Sequence, residues 1–277
     1  MASLRTLGNP WEGDPNQKTA WAEGAHAPIW DETCESLFLP CCTQVYDPRN
    51  RRASHALVSL LRQGGLAFGA PPIGLPCCGE QARKVGAQDV FQQLHGSNLD
   101  SLRSLGASHV ITSSPHCLDV LCTVPDVVAE HAVQVLCRLV DQGRLEPTVP
   151  FPKTVTYHDP CYLGRYAGVY DAPRRLLASI PGLCLREMPR HGRDSLCCGG
   201  GGGGLFQEMA PDQRLALHRV REARDTGAQV LVTACPYCML MFEDAIKVLG
   251  LESEIEVLDI AQVLWRAVGV DFPEAAP

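Results

Sequence analysis

One arrangement of cysteines occurs twice in this chain, and the repetition restricts the fold to two copies of one unit. Cys77-Cys78-Gly79 returns as Cys197-Cys198-Gly199, 120 residues later. Ser114-Pro115-His116-Cys117 returns as Cys235-Pro236-Tyr237-Cys238 at an offset of 121, and residues 134–138 (QVLCR) return as 262–266 (QVLWR) at an offset of 128. Self-similarity over such a distance predicts two homologous lobes related by approximate two-fold symmetry. Prolines at 147, 150 and 152 mark a linker over residues 146–152. The expected division is an N-terminal arm over 1–34, a first lobe over 35–148 and a second over 149–277.

Within each lobe, short apolar runs alternate with helical patterns. Strands are expected at 36–40, 109–112, 154–157, 229–233 and 255–258, with extended segments inside 67–75 and 183–188. Helices are expected at 53–62, 81–105 in two pieces around Gly96, 133–140, 172–179, 211–224 with a proline start, 239–249 and 261–268. This alternation predicts an α/β fold: two Rossmann-like lobes, each with a parallel sheet. The first 30 residues hold Trp11, Trp21 and Trp30 among Gly, Pro and Asn, and read as an irregular arm, either strapped over the chain's own core or docking a partner.

The chain has 277 residues, 45% of them apolar, and a net charge of −7. With no basic run, nucleic-acid binding is excluded as an expectation. No segment is long enough to span a bilayer, and no basic start precedes an apolar stretch, so a cytoplasmic protein is expected. Fourteen cysteines in a reducing compartment point to metal or redox chemistry rather than disulfides.

The second-lobe thiols are Cys161, Cys197, Cys198, Cys235 and Cys238. Each falls where an expected strand gives way to a loop or helix, and in an open parallel sheet those positions converge at the carboxyl edge. Thiolates ligate iron–sulfur clusters and also zinc. Glycines 199–204 follow the cysteine pair directly, and Gly199, Gly200 and Gly201 are candidates for close backbone approach to a cluster or an anion. The first lobe keeps Cys42, Cys77, Cys78 and Cys117 as tentative ligands, but Ser114 stands where the second lobe has Cys235. Cys41 replaces the missing thiol only if the backbone turns it inward. The first site is therefore expected to hold a second cluster, zinc or nothing, and to be the weaker. Cys34, Cys122, Cys137 and Cys184 lie outside the pattern and are expected to pack in the core.

These segments, with His158-Asp159-Pro160-Cys161 and Ser195-Leu196-Cys197-Cys198-Gly199, resemble the twin cysteine-rich CCG domains of the heterodisulfide reductase family, in its catalytic B and D subunits and related iron–sulfur oxidoreductases. The resemblance implies a noncubane [4Fe-4S] cluster held by the five second-lobe cysteines, and a thiol or disulfide substrate. His158 and Arg165 are the catalytic candidates, with Tyr162, Arg190, His191 and Arg193 as further groups able to orient an anionic tail or supply a proton. Gly8-Asn9-Pro10-Trp11 resembles the linker that follows a ferredoxin-like domain in larger members. No ferredoxin cysteine run is present, so a ferredoxin-like or flavin-containing partner is expected to supply electrons, within a complex that can be peripheral to a membrane. Two other functions stand beside the redox reading: an electron-transfer or adaptor subunit linking a dehydrogenase to a quinone- or ferredoxin-linked partner, and a zinc-binding scaffold.

Overall fold

The computed structural model describes residues 1–270. Two short helices, α1 (Ala2–Leu7) and α2 (Gln17–Gly24), precede the first lobe. That lobe runs β1 (Ser36–Leu39), α3 (Cys42–Tyr46), α4 (Pro48–Gln63), β2 (Phe68–Gly69), α5 (Glu80–Lys84), α6 (Gln88–Leu105), β3 (His109–Thr112), α7 (Pro115–Leu121), β4 (Val128–His131) and α8 (Ala132–Asp141). The second runs β5 (Thr154–Tyr157), a π-helical turn (Tyr162–Tyr166), α9 (Asp171–Ala178), β6 (Cys184–Leu185), α10 (Leu215–Asp225), β7 (Val230–Thr233), α11 (Pro236–Leu249), β8 (Glu256–Asp259) and α12 (Ile260–Val268).

Both sheets are four-stranded and parallel throughout, in the orders β2-β1-β3-β4 and β6-β5-β7-β8. The chain moves outward from β1 to β2 and then crosses to β3 on the other side. The crevice at the carboxyl ends of β1 and β3 is therefore a topological switch point, and β5 and β7 form the equivalent crevice in the second lobe. Ligands bind at such points in open α/β sheets. The lobes share one core. Phe38, Leu57 and Leu136 join Tyr157, Leu177 and Leu264 in a continuous apolar cluster, with α4 packed on α12 and α8 on α9.

Helix boundaries follow local chemistry. His131 and Asp259, at the ends of equivalent strands, cap α8 and α12. Each side chain accepts a backbone N–H, from Val133 and Ala261, while Gln134 and Gln262 reach back to the cap residues. Asp47 caps α4 through Asn50 and starts it several residues before the expected position.

Four expectations need correction. The break in 81–105 falls at Gly86-Ala87, where Gly86 has φ +86°, and Gly96 lies inside α6, whose periodicity tolerates it. Pro211 opens a single 3₁₀ turn, and α10 starts only at Leu215. The arm is not irregular. Trp21 is buried and donates to Ser54 Oγ at 2.8 Å, Trp30 donates to the Leu105 carbonyl at 3.0 Å, and Asn9 is wholly buried, closing a turn through the Trp11 and Gly13 amides. This is the strap arrangement, with Trp11 half-buried against Phe206. Finally, Cys122 and Cys184 are exposed and Cys34 is only half-buried beside Asp31, so that of the four only Cys137 packs in the core.

Candidate metal centre

All five second-lobe cysteines meet at the β5/β7 crevice. Cys161 begins the turn after β5, Cys197-Cys198 lie on the loop after β6, and Cys235 is the residue before α11, whose first turn carries Pro236 and Cys238. Cys161 Sγ is 3.9 Å from Cys197 Sγ, and Cys238 Sγ is 3.3 Å from Cys198 Sγ. Hydrogen bonds between Cys197 and Cys198 and between Cys235 and Cys238 complete a chain through all five. None forms a disulfide. Cys198, Cys235 and Cys238 are buried, so the site opens to solvent only past Cys161 and Cys197.

The electrostatics of this sulfur chain are polarised. Hydrogen bonds shared with Cys161 and Cys198 hold the Cys197 thiol far below the ordinary range, whereas the same contact with Cys197, and then burial, push Cys161 up. Burial pushes Cys235 upward, but hydrogen bonds from Cys238 and His116 outweigh it and hold the thiol down. Backbone amides add to the field. Gly199 N–H donates to Cys197 Sγ at 3.3 Å and Gly200 N–H to Cys198 Sγ at 3.4 Å. The glycines are required sterically: Gly199 has φ +84°, and a Cβ on Gly204 would lie 2.1 Å from the Gly199 carbonyl oxygen.

His158 follows β5 and is fully buried. Its Nδ1 accepts from Arg219 Nε at 3.1 Å, and its Nε2 has no hydrogen-bond partner. A ring nitrogen of His158 and the sulfurs of Cys198 and Cys238 all lie within 4.8 Å of one another. Burial first, then the Arg219 charge, hold His158 well below the usual histidine range. Asp159 takes a bidentate ion pair from Arg174 at 2.8 and 2.9 Å and accepts the Gly192 amide at 2.7 Å, which ties the start of the second-lobe motif to the loop before Cys197. Arg165 donates to the carbonyls of Arg193 and Ser195. Arg190 is paired with Glu222, and His191 Nδ1 contacts the Met188 carbonyl.

The first lobe has its own sulfur chain. Hydrogen bonds link Cys42 to Cys77, Cys77 to Cys78, Cys78 to Cys117 and Cys117 to Cys41. Cys41 is buried, so the backbone does turn it inward. Ser114 instead caps α7, accepting from the Cys117 amide. Gly79 N–H donates to Cys77 Sγ at 3.5 Å, as Gly199 does in the other lobe. Lys18 of the arm, almost fully buried, hydrogen-bonds Cys42 and the Leu75 carbonyl. Burial lowers its affinity for a proton, but the Cys42 and Cys77 thiols more than offset this.

The chain matches the cysteine-rich domain, CCG, twice, over residues 36–121 and 155–243. It belongs to the CCG family. Relatives include a protein named "Probable iron-sulfur-binding oxidoreductase FadF" from Bacillus subtilis, 31% identical over 98% of this chain and 41% of its own length. The EtfAB:quinone oxidoreductase of Syntrophomonas wolfei is 33% identical over 84% of this chain and 34% of its own. The dihydromethanophenazine:CoB–CoM heterodisulfide reductase D subunit of Methanosarcina barkeri is 30% identical over 95% of this chain and 65% of its own. The chain thus spans about a third to two thirds of the length of these relatives. Among solved structures, a hypothetical protein from Helicobacter pylori superposes with a TM-score of 0.54 at 13% identity, over 96% of this chain and 56% of that one, a likeness of fold. The CCG signature glycine is the residue that donates to the first sulfur of each cysteine pair.

Sequence reasoning did not find Arg219, Arg174, Lys18, Glu80 or the bridging role of His116. One signal existed for Arg219: it stands on the buried face of α10 with Ala216, Val220 and Ala223, a register where an arginine must have internal partners. Among the described residues, no helix is long and apolar enough to cross a membrane.

Proposed function

We propose that this chain is an iron–sulfur redox unit that passes electrons to or from a thiol or disulfide group at the second-lobe site, with Cys161, Cys197, Cys198, Cys235 and Cys238 holding a noncubane [4Fe-4S] cluster. One observation carries the reading: five free thiols in hydrogen-bonded contact, with two backbone N–H groups directed at their sulfurs and the buried His158 ring, whose Nε2 has no partner, close beside them. A structural zinc takes four ligands in a closed tetrahedron. A fifth thiol and extra N–H donors fit a multi-iron, sulfide-containing group better. Such a group supplies one-electron chemistry and an iron able to bind substrate sulfur. The chain's own residues hold it, shield three of the five sulfurs from water and leave the Cys161–Cys197 side open. The first-lobe thiols, Cys41, Cys42, Cys77, Cys78 and Cys117, are the proposed ligands of a second group.

An adaptor role between a flavin dehydrogenase and a quinone-linked partner is the second reading, favoured by the relative named as an EtfAB:quinone oxidoreductase. Anaerobic purification with iron, sulfide and zinc analysis tests the cofactor. Disulfide reduction by the chemically reduced protein then separates the readings: turnover supports the substrate site, and a cluster-loaded protein without turnover on any disulfide, but oxidised rapidly by a quinone-linked partner, supports the adaptor. A colourless, zinc-only protein sinks both.

A further inference from the structure

His158 meets two kinds of neighbour. On one side stands Arg219, wholly buried, with Nε 3.1 Å from His158 Nδ1. The rest of its guanidinium is fixed: Nη1 donates to the Arg190 carbonyl and to Glu222 at 2.7 Å each, and Nη2 to Ser195 Oγ at 3.2 Å. The sulfurs of Cys198 and Cys238 lie within 4.8 Å of one of the His158 ring nitrogens. Guanidinium carries five N–H donors and no acceptor. A proton on Nδ1 would point at another N–H, so Nδ1 must be the bare nitrogen. A neutral imidazole with a bare Nδ1 carries its hydrogen on Nε2, the nitrogen without a partner in the protein.

We propose that Arg219 locks His158 as the Nε2–H tautomer and that this N–H, which has no partner within the protein, is the donor kept for the sulfur-bound group of the second lobe, which makes His158 neither a general base nor a metal ligand and makes Arg219 its positioning residue. Ligation through Nε2 would require moving the hydrogen to Nδ1, against Arg219. The redox consequence rests on the second-lobe cluster reading; the tautomer does not. Hydrogen bonds to cluster sulfurs stabilise the reduced, more negative state and so raise the reduction potential. Edge-to-face contact of the His158 ring with Phe242, 4.7 Å between centroids, keeps the ring from rotating away.

Two measurements test this on the anaerobically purified protein. Two-bond proton–nitrogen correlation spectra of ¹⁵N-histidine-labelled protein report the tautomer: His158 is expected as Nε2–H, and an Nδ1–H signal overturns the proposal. Redox titration of the loaded protein reports the donor. His158→Phe and Arg219→Met are expected to shift the second-lobe potential downward with iron and sulfide per chain unchanged. Arg219→Lys, which can still only donate, is expected to stay nearer the wild type. An unshifted potential in His158→Phe, or loss of iron from it, overturns the donor role. Should Arg219→Met fail to fold, the wild-type spectrum and His158→Phe still decide. Wild-type protein lacking iron and sulfide would sink the cluster reading, while the tautomer measurement would still judge the Arg219–His158 lock.

Discussion

His116 of the first lobe hydrogen-bonds Cys235 of the second, so a ring from one repeat serves the sulfur site of the other. The exchange is mutual. Tyr237 occupies the second-lobe position equivalent to His116, and its fully buried hydroxyl is pushed up first by burial and then by Cys41, Cys77, Cys78 and Cys117 of the first lobe. The two rings meet with centroids 4.6 Å apart. His116 is fixed from behind by Glu80, whose carboxylate lies 3.0 Å from its Nδ1 and also accepts the Tyr162 hydroxyl. The second-lobe sulfur set is therefore built partly by the first lobe, and Tyr237 packs in one cluster with Cys41 and Cys117 of the first.

Removing the carboxylate should loosen both sites at once. Glu80 is 1% exposed, so Glu80→Gln leaves His116 and Tyr162 with a poorly matched buried partner. The expected cost is about 1–3 kcal/mol, read as a lower denaturation midpoint. An unchanged midpoint would mean that the Glu80 contacts carry no stability.

The two equivalent helix caps should respond to pH with opposite sign. Burial holds His131 down at about 4 against an ordinary 6.5. Its contribution is present above pH 6.5 and lost as pH falls toward 4, because the unfolded chain binds the proton more readily. Burial raises Asp259 to about 7 from 3.8, against the opposing Ala261 hydrogen bond. Its contribution is present below 3.8 and lost as pH rises through 7. Between pH 4 and 6.5 the two slopes oppose each other. His131→Asn should leave stability falling with pH in that window, and Asp259→Asn should leave it rising and make the protein more stable at pH 7.5. Asparagine can still accept the capping amide in each case. Urea midpoints across the range check this, and parallel slopes in the two variants would contradict it.

The glycine loop should be unevenly tolerant. An added Cβ at Gly201 meets only the edge of His116 at 3.5 Å, an ordinary contact, whereas at Gly204 it meets backbone at 2.1 Å. Gly201→Ala should be near neutral. Gly204→Ala should shift the loop carrying Cys198 and lower both thermal stability and iron content. Equal behaviour of the two would show that the loop does not shape the site.

Most of the architecture was legible because the repeat is written in residues that cannot be exchanged: two cysteine pairs each followed by glycine, and two Pro-containing segments opening α7 and α11. Strand positions followed from short runs of β-branched and aromatic residues such as 109–112 (HVIT) and 154–157 (TVTY), which fit a pleated, largely buried surface. Strand β4 was not legible, because Val128–His131 is half-exposed at a sheet edge and carries Glu130. The arm reads as irregular because α1 and α2 are short and weakly patterned; tertiary contacts such as Trp21–Ser54 order them. The second-lobe ligand set could be proposed from spacing, whereas the polar groups behind it could not. Arg219, Arg174 and Glu80 reach the site from 15 to 82 residues away in sequence, and no local pattern marks such pairs.

Cys41 should act as a first-lobe ligand. Ser114 removes one thiol from the repeated pattern, and the first site read from spacing alone is one ligand short. In the structure Ser114 is committed to capping α7, and Cys41, one residue before α3, supplies the inward thiol beside Cys117. The first lobe then offers the same number of sulfurs as the second by a different route, with a buried lysine against Cys42 that the second lobe does not reproduce among the described residues. Cys41→Ala should therefore behave like Cys78→Ala, each lowering iron and sulfide by the first-lobe share, while Cys198→Ala removes the second-lobe share and the double variant Cys78→Ala/Cys198→Ala removes nearly all. Ser114→Ala should keep its iron and lose about 1 kcal/mol of stability, the usual cost of an absent helix cap. Metal analysis and visible absorption of the purified variants check these outcomes together. Full iron content in Cys41→Ala would show that four thiols suffice in the first lobe, and loss of iron in Ser114→Ala would return the serine to the ligand set.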